Sequence, residues 1–243
     1  VCSSIVGFAD LTLGLAVGEV LDAHRAVSPR FAGIRHATGW DASGEVRNSH
    51  TNPRENLLLD KTFREGFAEL GKRGLIFDAW LYHPQIPELT ALARTFPNQL
   101  IVFDHFGGPL GIGPYAGKRD AILDYWKGAV AELARCENVI AKLGGLAMPI
   151  NGFDFHKAER PPTSAQLAQA TRAYYLHMVD QFGPTRCMFE SNFPVDKASC
   201  SYAVLWNSFK HITAEFSADE KAALYHDTAA RVYRTEKTVG ADV

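Results

Sequence analysis

A chain of 243 residues, 47% apolar and 21% charged, can bury roughly three quarters of its unfolded surface around one core. Neither disulfides nor a structural metal is then required to hold it. The formal net charge of −2 leaves no basic footprint for nucleic acid or an anionic membrane, and no apolar run reaches the ~18 residues of a membrane-spanning helix. Cys2, Cys136, Cys187 and Cys200 lack C-x-x-C spacing, which suits a reduced, cytoplasmic protein better than a disulfide framework or structural zinc. A single domain over 1–243 is expected. The start, Val1-Cys2-Ser3-Ser4-Ile5, carries no Met and no signal-peptide pattern, and it runs almost at once into a strand, so it reads as an N-terminally trimmed beginning.

In chain order, Ile5–Ala9 reads as a first buried strand and Phe31–Arg35 as a second. A polar irregular segment, Thr38–Leu59, follows. After Asp60, the spacing of Phe63, Phe67 and Leu70 predicts a helix ending at Gly74. Leu75–Leu81 is the third strand, and Pro87 opens a helix carrying Leu89, Leu92, Ala93 and Phe96. Leu100–Asp104 is the fourth strand, followed by a helix from about Lys118 to Arg135. Val139–Leu143 is the fifth strand, then an irregular loop over Met148–Pro162 and a helix after Thr163-Ser164. Cys187–Glu190 is the sixth strand, with a helix after Ala198 and a last one opened by the capping box Ser217-Ala218-Asp219-Glu220. Strand and helix in alternation imply a parallel sheet with right-handed crossovers. Six βα units are visible; a closed (β/α)8 barrel requires eight strands, so two would precede Val1, and by count alone an open sheet is the simpler expectation. An open doubly wound sheet is the competing architecture.

The informative polar residues lie where strands end. Side chains alternate along a strand, so Phe77, Ala79, Leu81 and His83 share a face, as do Ile101, Phe103 and His105. Histidines ending successive strands, about 5 Å apart, could bind a divalent metal or shuttle a proton. The plainer alternative is that each hydrogen-bonds a loop carbonyl. Lys142 sits in an otherwise apolar strand, where burying its charge is costly unless it is paired. Glu190 and Asn192 share a face of the last strand, so a Lys142–Glu190 ion pair is one expectation and Glu190 as base or metal ligand another. Arg35 could hold an anionic or carbonyl group of a substrate or cap the rim; Trp80, Tyr82 and Lys142 join it as candidate substrate-binding residues. Gly111-Ile112-Gly113-Pro114-Tyr115-Ala116 matches a dinucleotide-binding pattern, but it does not directly follow a strand and Pro114 interrupts it, so nucleotide binding is not expected.

Gly7-Phe8-Ala9-Asp10-Leu11, Gly33-Ile34-Arg35, His83-Pro84-Gln85, Asp104-His105-Phe106-Gly107-Gly108-Pro109, Lys142-Leu143-Gly144-Gly145-Leu146 and Glu190-Ser191-Asn192-Phe193-Pro194 together resemble the amidohydrolase-related family. That family includes sugar-acid lactonases, the pyrone dicarboxylate lactonase and the aminocarboxymuconate-semialdehyde decarboxylase type. The resemblance implies an α/β (β/α)8 TIM barrel, its first two strands preceding Val1, whose active site at the strand C-termini cleaves an ester, lactone or amide. His83 and His105 would then end strands five and six of a complete barrel, and Asn192 strand eight. In metal-using members a divalent ion, often zinc, lowers the pKa of a bound water towards ~7, and an acidic residue after the last strand takes the water's proton. Two departures stand out: the family's His-x-His after the first strand is absent, and Asn192 replaces its final Asp. An amide cannot accept a proton at neutral pH.

The resulting expectation is a hydrolase of a small carboxylated lactone or ester. His83 and His105 would surround a metal or the water, Glu190 would act as base with His105 the other candidate, and Asn192 would polarise the carbonyl or position water. Arg35 would grip the substrate. A zinc-like divalent ion at His83 and His105 and a metal-free site are both carried forward. The alternatives are a metal-dependent decarboxylase of the same superfamily and a degenerate barrel that survives as a binding protein. The expected partner is a small molecule, and the amphipathic helices leave room for a homodimer face.

Overall fold

The computed structural model describes residues 2–235. Its strands are β1 (Ile5–Gly7), β2 (Phe31–Arg35), β3 (Ile76–Ala79), β4 (Ile101–Phe103), β5 (Val139–Leu143) and β6 (Cys187–Phe189). All neighbours pair in parallel, in the order β1-β2-β3-β4-β5-β6. Each predicted strand is present. The third is shorter than Leu75–Leu81 because loops take over its hydrogen bonds: the Thr38 amide donates to the Trp80 carbonyl at 2.8 Å and the His83 amide to Gly108 at 3.3 Å.

One helix fills each crossover: α1 (Val17–Val27), α2 (Lys61–Lys72), α3 (Ile86–Thr95), α4 (Arg119–Ala134) and α5 (Ser164–Phe182). After β6 come α6 (Tyr202–Ile212), α7 (Ala218–Ala222), a π-helical turn over Ala223–Asp227 and α8 (Thr228–Tyr233). The first crossover helix was not singled out in the sequence, since it buries only Val17, Gly18 and Leu21. Side-chain caps fix the starts of α2, α5, α6 and α7. Asp60 accepts the Phe63 amide at 2.9 Å, Thr163 and Gln166 form a reciprocal capping box, and Ser217 with Glu220 forms another.

The two-residue period divides each strand between two environments. Phe77, Ala79, Ile101, Phe103, Val139 and Ala141 join the main core beneath the helices. Ile76, Val102, Ile140 and Met188 face the other way and pack with Val232, with Ala32, Leu100 and, from α8, Ala229 and Tyr233 beside them. Sequential strand order without reversal, and crossover helices on one face only, exclude the doubly wound alternative, which needs a switch point and helices on both faces. The architecture is the α/β arrangement of a TIM barrel, seen here as six strands open between β1 and β6.

Helix α2 lies against the turn that follows β1 so closely that a Cβ on Gly66 would come within 2.3 Å of the Leu11 carbonyl oxygen. Alanine is the better helix former by about 1 kcal/mol, but overpacking against backbone costs about 1–3 kcal/mol. Gly66→Ala is therefore expected to lower stability by ~1–2 kcal/mol, a fall in Tm of about 2–8 °C for a chain of this size. A thermal melt showing a higher Tm would mean that helical propensity outweighs this contact.

Candidate active site

The inner face carries a second layer above its apolar residues. Asp78, Asp104 and Lys142 follow Phe77, Phe103 and Ala141, residues that pair across β3, β4 and β5 or lie at their ends. The Lys142 ammonium lies 2.5 Å from Asp78 Oδ2 and 3.0 Å from Asp104 Oδ1. Arg35, at the end of β2, reaches Asp104 at 2.7 Å and Asp78 at 3.8 Å. Tyr233 donates its hydroxyl to Asp78, 3.0 Å from Oδ2. Burial alone would strip Lys142 of its proton, but Asp104 and Asp78 more than offset this and hold its pKa well above the ordinary lysine range. Burial likewise opposes ionisation of Asp104, yet Lys142 and Arg35 hold its carboxyl below the ordinary aspartate value. Asp78 is raised, chiefly by burial. The expected Lys142–Glu190 ion pair is thus replaced by Lys142 with Asp78 and Asp104. Arg35, Asp78 and Lys142 line a cavity of about 430 Å³ bounded by Val6 of β1 and by Ala229 and Tyr233 of α8.

His105 reaches the strand mouth by a different route from the one alternation suggests. Phe103, two residues earlier, is buried under the helices, so an extended chain would carry His105 outward with it. Instead φ turns positive at His105, Phe106, Gly107 and Gly108, with values of 52°, 60°, 59° and 44°. The imidazole then rests with Nδ1 against Glu190 Oε1 and packs edge-on to Trp80, ring centroids 5.0 Å apart. Glycines make the approach possible. A Cβ on Gly144 would lie 2.4 Å from the Glu190 carbonyl oxygen and 2.5 Å from its Cγ, and one on Gly145 would lie 2.9 Å from His105 Cβ.

Asn192, also in left-handed backbone at φ 51°, donates from Nδ2 to Asp196 Oδ1 at 2.8 Å. The buried Asp196 carboxyl is pushed up to about 6, mainly by burial, against the opposing pull of Asn192 and His105. Asp78, Asp104 and Asp196 are the site residues that sequence reasoning assigned no role. A signal existed for the first two, since each is an acid inside an apolar strand, the same oddity that marked Lys142.

His83 lies elsewhere. Its Nδ1 accepts the Leu110 amide at 3.2 Å, and its ring is bracketed by Tyr115 and Tyr125 at centroid distances of 5.2 and 5.9 Å. Burial lowers its pKa to about 4, so it is a neutral prop for the loop after β4. The structure therefore brings His105 to Glu190 and not His83 to His105, because β3 ends at Ala79 and alternation has no force beyond it. Tyr82 donates its hydroxyl to the Arg47 carbonyl, and Tyr115 donates to Asp41 at 2.7 Å. Both hold the polar Thr38–Leu59 segment in place.

The expected divalent ion finds no matching donor set. Among the described residues no group of three or more His, Cys, Asp or Glu side chains is arranged to hold a metal. The Nδ1 of His83 is taken by an amide, His105 by Glu190, and Asp78 and Asp104 by Lys142 and Arg35.

Removing one member of a buried ion cluster leaves the others uncompensated, typically at a cost of about 3–5 kcal/mol. Lys142→Met is expected to destabilise by that amount, with Lys142→Met/Asp104→Asn recovering part of the loss. Urea unfolding of the two single variants and the double variant measures the coupling. Strictly additive losses would show that Lys142 and Asp104 do not depend on one another.

The sequence profile of the amidohydrolase family matches residues 3–235. An uncharacterized Sinorhizobium fredii protein is 36% identical over 230 residues, which cover 95% of this chain and 69% of that protein. An L-fucono-1,5-lactonase of Burkholderia multivorans is 30% identical over 232 residues, covering 95% of this chain and 71% of that one. The crystal structure of a Burkholderia multivorans amidohydrolase with bound zinc matches with a TM-score of 0.75 at 26% identity, covering 96% of this chain and 73% of the other. Its HEPES-bound form matches with a TM-score of 0.76 at 27% identity, covering 95% and 73%. Among the described residues no helix is long and apolar enough to cross a membrane. By sequence and by fold alike, the chain belongs to the amidohydrolase family and is an enzyme of hydrolase type.

Proposed function

We propose that the chain hydrolyses a small, carboxylated lactone or ester, with His105 as general base and Glu190 as the group that holds it. The contact of His105 Nδ1 with the Glu190 carboxylate carries this reading. A carboxylate only accepts, so it selects the tautomer protonated at Nδ1 and leaves Nε2 free to take a proton. Glu190 thereby moves from the expected base to the orienting role, as the acid does in a histidine–carboxylate pair.

The chemistry then follows from the neighbouring side chains. Water loses a proton to Nε2 as its oxygen attacks the lactone carbonyl carbon. The ring C–O bond breaks, and the imidazolium returns the proton to the leaving alkoxide, giving a hydroxy acid. Asn192 has the amide groups to position water, and Arg35 carries the charge that suits a substrate carboxylate or the developing oxyanion. Trp80, edge-on to His105, supplies an apolar wall that keeps bulk water off the base. Lys142 contributes through its field, its ammonium being engaged by Asp78 and Asp104. The likeness to a protein named L-fucono-1,5-lactonase favours a sugar lactone as substrate class.

A panel of sugar 1,4- and 1,5-lactones, both neutral ones such as L-fucono-1,5-lactone and ones carrying a free carboxylate, followed by proton release, tests the activity and the role of a substrate carboxylate. His105→Gln is expected to lower kcat by about 10²–10⁴, the usual worth of a general base, with Tm almost unchanged. Wild-type turnover in this variant would remove His105 from the mechanism. Gly144→Ala displaces Glu190 by direct contact and should lower kcat by roughly 10–100-fold, in keeping with the cost of an ångström-scale misplacement. An undiminished kcat would show that the position of Glu190 is immaterial.

A further inference from the structure

The amide at 192 leaves the last strand's end without the negative charge that a carboxylate would bring, but one lies a turn further on. Asp196 and Asn192 clasp each other: Asn192 Nδ2 donates to Asp196 Oδ1 at 2.8 Å, and the Asp196 amide donates to the Asn192 carbonyl at 3.2 Å. The Asp196 side chain is fully buried, and its Oδ2 has no hydrogen-bond partner of ordinary geometry among the described residues. Glu190 faces it from the end of β6, His105 from the loop after β4, and the Ala147 amide from the loop after β5. Tyr175 of α5 and Cys200 complete the titratable groups around it.

We propose that Asp196 is a positioning residue for hydrolysis: it fixes the Asn192 amide and supplies negative charge to the imidazolium that forms on His105. The inference rests on the reading of His105 as base. An amide whose NH2 is committed to a carboxylate cannot flip freely, so its carbonyl oxygen stays available to accept from the attacking water. When His105 takes that proton, the site must absorb a positive charge away from solvent, and a carboxylate already in place does so without reorganisation.

The cost of keeping this group supports a functional role. Burial raises its pKa from 3.8 to about 6, so between those values the folded protein binds a proton that the unfolded chain releases. Stability is accordingly greater at low pH and falls as pH rises through that window. A carboxyl retained where it destabilises the fold at neutral pH is the kind of group found at functional sites.

Asp196→Asn is nearly isosteric and keeps an oxygen for Asn192 Nδ2. At pH 8 its kcat on the best lactone is expected to fall about 10–100-fold, the scale of a lost preorganised electrostatic contact, with KM little changed. As pH falls through about 6, the wild-type carboxyl becomes protonated and the ratio of wild-type to variant kcat should close towards one. The variant's Tm should exceed the wild type's at pH 8 and match it at pH 4. An active wild type with an unaffected variant, or a kcat ratio constant from pH 5 to 8, overturns the role of Asp196 alone. A wild type inert towards every lactone overturns this role and the proposed hydrolysis together.

Discussion

Lys142 has to keep its proton within a parallel strand, away from water, and Asp104 from the end of the adjacent β4 and Asp78 from β3 beyond it let it do so. Desolvating an isolated ammonium costs several kcal/mol even after relaxation. Strands spaced about 4.8 Å apart put the Asp104 carboxylate and the Lys142 ammonium at one level within contact distance. Arg35 and Tyr233 occupy the remaining acceptor sites on the two acids. The height of everything else follows from this layer. Below it, Ile76, Val102, Ile140 and Met188 close the inner face with apolar side chains. Above it, the strand ends carry His105, Glu190 and Asn192, so reacting groups sit over a layer of fixed charge.

The turn at His105 is the second constraint, because it works against the intrinsic preference of the chain. Left-handed backbone costs an L residue about 1–2 kcal/mol, and both His105 and Phe106 adopt it. The Phe106 ring is wholly buried, and its carbonyl accepts the Trp126 indole N–H at 2.7 Å. Gly107 and Gly108 continue the turn without steric cost. His83, holding the Leu110 amide, pins the far end. A residue that looked like a metal ligand in the sequence is thus part of the scaffold that aims the other histidine. Strain at such a position is sustained when its surroundings over-determine it, and here core packing and two side-chain hydrogen bonds do so.

Fold and site were legible in the sequence to different depths. The choice of a barrel over an open sheet came from the family resemblance of the strand-end motifs, whereas all six strands came from apolar runs alternating with amphipathic ones. Those signals are set by burial over many residues, so single irregularities do not erase them. Site geometry depends on where each strand stops. Alternation was carried past Ala79 to His83 and past Phe103 to His105, but those strands are only four and three residues long. One left-handed residue then reverses the side of the sheet, and nothing in the composition of Asp104-His105-Phe106-Gly107 specifies which residue does it. The partner of Lys142 was misassigned for a related reason. Glu190 is on the adjacent strand, but Lys142 pairs by register with Met188, and Glu190 lies two residues beyond. Asp104, one residue past the Phe103–Ala141 pair, stands level with the lysine, and register is what sequence alone does not supply.

Two of the acids end in opposite electrostatic situations, and this divides the labour of the site. Asp104 is held ionised by Lys142 and Arg35, so its charge is a constant of the fold. Asp196 has only an amide, an imidazole and one backbone N–H in its favour, and burial takes its pKa to about 6. Environments that push like groups apart in pKa separate a fixed counter-charge from one that responds to protonation. In the proposed hydrolysis a substrate carboxylate bound by Arg35 would add negative charge beside Asp104, where two cations already compensate it. In the same proposal the positive charge would develop on His105, where Glu190 and Asp196 stand and where no substrate anion is needed. Binding and proton transfer can then draw on different charges, and a change in pH near 6 would alter the second while leaving the first intact.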